Sequence, residues 1–300
     1  NFTSSVEFQP RAQIFINPAC IVKFYGAVTT PEFTSSKDMW KITSGKEIYS
    51  TSPVTMDFDN YYSSVNFYGD EINLKSGVIR YGSSGISTSN LSLNNISYIV
   101  FSDCGVALTI NQGNLDVICM VISECNDTGV LYVSETSENA NVNIMRSIIA
   151  SVHQRGISVL KATKYNINNC YFYNNLDTAI RAKNCYGSIT NNNFYMGYYH
   201  IMAGYSSNIS ESNEIHYNNF YDASINIRPT GNSNNINYNN FFSSKSYFIF
   251  ILLDTSPYST VLSDVNSINN YWLLEEVSQY LFDAEDDPRC PYHIIYLPRL

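Results

Sequence analysis

The sequence predicts an all-β chain: a single-stranded, right-handed parallel β-helix of about eleven coils, closed by a short C-terminal helix. Three observations predict it. Short β-branched and aromatic runs recur every two dozen residues or so, and amide pairs recur with them. No helical periodicity of 3.6 shows between residues 60 and 270. Hydrophobic residues make up 44% of the chain and charged ones only 14%, enough apolar surface for a continuous core and too little charge for a disordered chain.

The recurrence comes in two interlocked series. One is a small residue before a branched one: Gly85-Ile86, Gly105-Val106, Gly129-Val130, Gly156-Ile157 and Ala179-Ile180. The other is an amide pair before a core residue: Asn168-Asn169-Cys170, Asn192-Asn193-Phe194, Asn218-Asn219-Phe220, Asn239-Asn240-Phe241 and Asn269-Asn270-Tyr271. Each unit then reads as a strand, a polar turn, a second strand and a longer variable loop. Such strands are too short to bury a face alone; stacked about 4.8 Å apart, each buries against its counterpart in the neighbouring coils. Asn suits the left-handed conformation of a tight corner, and its amide can bond the equivalent amide one coil away. Phe194, Phe220, Phe241 and Tyr271 are expected to stack as an inward column.

One domain spans residues 1–300, with N-terminal coils or cap over 1–60, regular coils over 61–272 and a C-terminal cap over 273–300. Trp40 falls in the second coil. LLEEVSQYLF (273–282) places Leu273, Leu274, Val277 and Leu281 on one helical face. Glu275 and Glu276 sit in its first turn, where the helix dipole favours acids. YHIIYLPRL (292–300) reads as a final strand laid along that cap.

A net charge of −9 with no basic stripe argues against nucleic-acid binding. No apolar run approaches the length of a membrane span. The chain begins at Asn1, as a processed or excised segment would. Sequons at Asn1, Asn90, Asn95, Asn126 and Asn208 permit glycosylation, at a frequency that an Asn- and Ser-rich chain reaches by chance. Seven cysteines cannot all pair within the chain, and none has zinc-type spacing. Cys104 and Cys125, 21 residues apart, sit within disulfide range on adjacent coils or else stack as buried thiols.

VNSINNYW (265–272), followed by a short helix, FDAEDDP (282–288) and IYLPRL (295–300), resembles the C-terminal end of parallel β-helix proteins of the pectin-lyase-like superfamily. VIRYGSSGI (78–86) and INPACIVKF (16–24) resemble its early coils. The Gly usual after Tyr-Trp is Leu273 here. The resemblance implies an extracellular or cell-surface protein. It leaves open a polysaccharide-degrading enzyme, a viral spike or an adhesin-like module. Polygalacturonase-type motifs and the pectate-lyase calcium and arginine set are absent.

Two clusters carry what chemistry the sequence offers. Asp103, Asp127, Gln154 and Asp177 each precede a branched residue by three positions. One coil apart, Asp103 and Asp127 would suit a shared Ca²⁺ or an acid/base pair. Asp103 aligns with Glu124 instead if the loop shifts the register, and Asp also fills such turns for backbone reasons alone. The second cluster is His153, Arg155, Arg181 and Lys183. Arg155 and Arg181 would grip a uronate carboxylate and His153 would act as a base, or all four are solvated turn residues. The balance of these readings is a non-catalytic, adhesin-like surface module that binds glycan or protein and needs no cofactor. The alternative is a lyase or hydrolase acting on an acidic polysaccharide.

Overall fold

In the computed structural model the described residues are the strands from Val6 to Ser89 and the segments 93–133, 140–162, 164–204, 212–230, 234–242, 247–250, 265–272, 281–282 and 294–298. They form a parallel β-solenoid, with about six consecutive turns between Leu93 and Phe242. No helix occurs among the described residues.

Each turn lays down three strands in three parallel sheets. The first sheet runs through Leu93–Ser97, Asn114–Ile118, Asn141–Met145, Lys164–Asn168, Tyr186–Thr190, Asn213–His216 and Asn234–Asn237. The second begins with Ile99–Ser102, Val121–Ser123 and Ile148–Ala150. The third begins with Val106–Asn111, Thr128–Val133 and Arg155–Leu160. Further along, the second and third strands of a coil merge into one bent strand: Tyr171–Lys183, Asn193–Gly204 and Asn219–Thr230.

The register stacks like on like. Ile96, Val117, Ile144, Ile167, Ile189, Ile215 and Ile236 form the core column of the first sheet. Ile86, Leu108, Val130, Ile157, Ile180, Ile201 and Ile227 form that of the third. In the second sheet Phe172, Phe194, Phe220, Phe241 and Trp272 lie over one another, with successive ring centroids 4.6–5.0 Å apart. β-branched residues dominate because a pleated strand has room for them and each packs on its own kind above and below.

Corners turn through left-handed backbone. Between the first and second sheets the positive-φ residues are Tyr98, Cys119, Arg146, Asn169, Asn191, Tyr217, Tyr238 and Asn269. Between the second and third they are Asp103, Glu124, Ser151, Asn174, Met196 and Asp222. Each such non-glycine residue costs about 1–2 kcal/mol. Corner N–H groups bond the neighbouring coil in return, as Tyr98 does to the Ile118 carbonyl at 3.0 Å and Ser151 to that of Tyr173 at 2.9 Å.

Three alignments read from the sequence shift. Ala107-Leu108, not Gly105-Val106, is the partner of Gly129-Val130. Phe172, not Cys170, lies under Phe194. Trp272 caps the aromatic column, and Tyr271, one residue earlier, is exposed. The left-handed residue is the one before each ladder amide rather than the amide itself. The amides Asn192, Asn218, Asn239 and Asn270 are buried and make the ladder.

The early strands join the same ladders: Trp40–Thr43 pairs with Gln13–Phe15 on one side and Ser64–Tyr68 on the other. Residues 273–280 of the expected helix lie outside the described residues. Its last two, Leu281–Phe282, are a strand paired with Ile249–Phe250. Ile294–Pro298 adds a further rung to the first sheet beside Val265–Asn270.

Candidate functional site: the arginine face of the third sheet

The acidic column does not assemble as drawn from the sequence. From Asp103 to the core-facing Ala107 the chain takes one residue fewer than from Glu124 to Gly129, so the two coils regain register only in the third strand. Asp103 therefore sits at the same corner position as Glu124: the N–H of each bonds the carbonyl at the same place one coil on, Ser123 and Ala150 respectively. The Asp127 N–H bonds the Gly105 carbonyl instead, so Asp103 and Asp127 are not opposed.

Asp127, Gln154 and Asp177 do share a column. Gln154 donates its N–H to Asp127, and the Thr178 N–H, next to Asp177, bonds the Gln154 carbonyl. The two aspartates are thus two coils apart, about 9.6 Å by the strand spacing. That is too far to share a proton or a cation. Among the described residues no three His, Cys, Asp or Glu side chains gather as metal ligands. His153 is exposed at the corner beside this column, its N–H bonded to the Cys125 carbonyl.

The cationic cluster does assemble. Arg155 lies in register with Thr178 and Tyr199, and Arg181 with Ser158, Met202 and Arg228. With Ile157, Ile180, Ile201 and Ile227 pointing inward, Arg181 and Arg228 project from the opposite face of the third sheet. Lys183, two residues on from Arg181, is exposed on the same face.

Three observations mark this face as electrostatically unfinished. Among the described residues none of Arg155, Arg181 and Arg228 makes an ion pair, and the described pair His216–Glu214, at 2.8 Å, lies on the first sheet. The Nε groups of Arg155 and Arg228 are enclosed without a hydrogen-bond partner, as is the hydroxyl of Ser158, three residues after Arg155 on the same strand. Partial burial pulls the Arg181 guanidinium below its ordinary value, as do the charges of Arg155 and Arg228, with Asp177 opposing. A bound anion would relieve all three. Arg228 lies 5.7 Å from the centre of the Tyr199 ring, which holds its position by cation–π attraction.

Arg228 and Tyr199 escaped the sequence reading because the segment 205–211 lengthens that coil and hides the match of Met202 with Arg228. The signal was there in the column Ser158, Arg181, Met202, once its register was known.

No family model matches this chain, and neither a curated protein nor a solved structure matches it.

Proposed function

We propose that this chain is a non-catalytic, adhesin-like module outside the cell. It would hold a glycan bearing carboxylate or sulfate groups along the outer face of the third sheet. The observation that carries the reading is the set of three guanidinium groups on the third-sheet strands, Arg155, Arg181 and Arg228, whose charges act on one another and none of which forms an ion pair among the described residues, in a chain of net charge −9. A protein that acidic gains nothing in solubility from gathering unpaired cations, whereas a planar guanidinium fork matches carboxylate and sulfate oxygens. Arg155 and Arg181 sit one coil apart and Arg228 two coils further, so an extended anionic chain parallel to the axis meets them in series. Catalysis is disfavoured by the separation of Asp103 from Asp127.

On this reading the whole chain is a right-handed rod of the pectin-lyase-like type. Right-handed crossovers are the rule between parallel strands. The strand pairings on both sides of the six described turns support about eleven coils, a rod of about 50 Å. A capping helix over residues 273–280 would cover the last of them.

Calorimetric titration with sulfated and uronate oligosaccharides, beside neutral controls, tests the reading. The expected result is salt-dependent binding of the anionic ligands alone, weakened ten-fold or more in Arg155→Ala/Arg181→Ala. Equal affinity of that variant, or release of cleaved product, overturns it.

A further inference from the structure

The outer face of the second sheet has a different composition from the rest of the surface. Outward positions there run in two columns. One holds Val100, Val121, Ile148, Tyr171, Asn193, Asn219, Asn240 and Tyr271, and the other Ser102 through Tyr173 and Tyr195 to Phe242. Among the described residues from Ile99 to Trp272, no outward position of this sheet carries a charge.

The exposed large apolar side chains collect on the same side. Ile148, Tyr171, Tyr173 and Tyr271 stand on the face itself. Tyr98, Tyr217 and Tyr238 line its corner with the first sheet, and Leu176, Met196 and Tyr198 its corner with the third. Only Tyr247, of the described residues in this class, lies elsewhere. At the latter corner a surface depression of about 440 Å³ opens between Leu176, Met196, Tyr198 and Asp222, among others.

The face is also flat and internally tied. Tyr195 and Tyr221 stack at 4.4 Å and Tyr221 and Phe242 at 4.7 Å. Beside them Asn219 donates to Asn193 at 2.8 Å and Asn240 to Asn219 at 2.7 Å. Rings stacked on one another offer their edges outward and not their faces, so a sugar ring has no aromatic plane to lie on. What remains on the strands is a rigid surface rich in Tyr, with Phe, and without charge, close to the composition of the buried centre of a protein interface; the exposed Glu124, Arg146 and Asp222 stand at its corners.

We propose that this face is a self-association surface on which a second copy of the chain docks through the same patch. Charge selects the occupant. Two chains of net charge −9 repel each other except where strands without charge let them touch, and a cationic partner would find no counter-charge on those strands. Area supports it as well. Eight rungs, seven spacings of about 4.8 Å, and a width of about 16 Å that takes in both corners give roughly 540 Å² per copy in projection. Two copies together bury roughly 1,100 Å², above the ~1,000 Å² that a specific interface needs. A pair built on one shared patch closes on itself as a dimer and does not propagate. The residues differ from those of the arginine face, so the two readings stand or fall separately.

Sedimentation equilibrium of the whole chain tests the proposal. The expected result is a monomer–dimer equilibrium that weakens at least ten-fold in Ile148→Glu and in Tyr173→Glu, while Arg228→Ala leaves it unchanged. Ile148 and Tyr173 are exposed, so circular dichroism of both variants should match the parent. Tyr171→Cys, near the centre of the patch, is expected to cross-link two copies on mild oxidation by oxidised glutathione, and Arg228→Cys is not. A chain that stays monomeric up to millimolar concentration overturns the proposal. So does a dimer indifferent to both glutamates, or one cross-linked only through Arg228→Cys.

Discussion

Asn218 and Asn239 occupy the same place on successive coils, and the Asn239 Oδ1 accepts both the Asn218 side-chain amide at 3.0 Å and the Asn218 backbone N–H at 2.9 Å. The same pair of bonds joins Asn192 to Asn218 and Asn239 to Asn270. Each side-chain amide also donates to a carbonyl of the preceding coil, Asn218 to Ile189 at 2.8 Å and Asn239 to Ile215 at 2.7 Å. The ladder therefore satisfies backbone groups that turn inward where the first sheet bends into the second, and buried groups of that kind are expensive when left alone.

Asn218→Ala is expected to destabilise the chain by about 2–4 kcal/mol, because it strands the two Asn192 donors and the Ile189 carbonyl in the core. Asn218→Asp should do worse at neutral pH, since a carboxylate in place of the donating amide faces acceptors. Asn219→Ala, one residue away on the surface, should cost less than about 1 kcal/mol. Urea unfolding midpoints of the three variants check the order, and equal losses at 218 and 219 would refute the ladder.

Gly129 and Gly156 share the narrow column that precedes the inward residue of the third strand. A Cβ added at Gly129 would meet the Gly156 carbonyl oxygen at 2.4 Å, and one at Gly156 the Ala179 carbonyl oxygen at 2.6 Å. Backbone cannot withdraw as a side chain can. Gly129→Ala should therefore lower stability by about 2–3 kcal/mol. Ala179→Gly in the same column should lower it by about 1 kcal/mol or less. Thermal melts of the pair decide whether steric closure or chain entropy governs the column.

Architecture was legible in this sequence because every coil must place an apolar residue at the same three interior points, which imprints a period. Register was not legible to the residue. The corner between the second and third sheets is one residue shorter after Asp103 than after Glu124, and such a step leaves the pattern of Val, Ser and Gly almost unchanged while it moves Asp103 away from Asp127. Corner conformation was equally hidden. Tyr98, Arg146, Tyr217 and Tyr238 adopt left-handed backbone with none of the usual Asn or Gly signature, and at Tyr98 and Arg146 the backbone N–H bonds the next coil. Arg155 and Arg181 were found together because both lie on regular coils, and Arg228 was missed because an insertion precedes it.

The described cysteines should differ in reactivity by burial. Cys170 and Cys185 are pushed up to about 12 by burial. Cys125 is raised further, first by its bond with Cys104 and then by burial. A thiol held protonated does not react at neutral pH. Cys119 stands partly exposed at a corner, within reach of reagent. Brief alkylation of the native chain followed by peptide mapping should modify Cys119 ahead of Cys104, Cys125, Cys170 and Cys185, and denaturant should equalise them. Rapid native labelling of Cys170 would show that the core opens far more readily than a continuous stack allows.

His200 makes the fold sensitive to acid. It is wholly buried between Phe194 at 5.4 Å and Phe220 at 5.8 Å, in the column that holds Gly and Ala in earlier coils and Asn226 and Phe248 in later ones. Neither ring nitrogen has a well-formed hydrogen bond. Burial drives its pKa from 6.5 down to about 3, and the nearby Asn226 amide offsets only part of that. In the unfolded chain the imidazole titrates normally, so between pH 6.5 and 3 the unfolded state binds the extra proton and stability falls as pH falls. Between pH 7.5 and pH 4.5 the loss from this one residue is on the order of 2–3 kcal/mol. His200→Phe, which puts the residue of Phe248 into the same column, should remove that increment while leaving the contribution of every other titrating group in place. Urea midpoints of parent and variant at the two pH values isolate the difference. If both lose the same stability on acidification, His200 is hydrated or hydrogen-bonded in solution and the interior of these coils is wetter than the stacked rings imply.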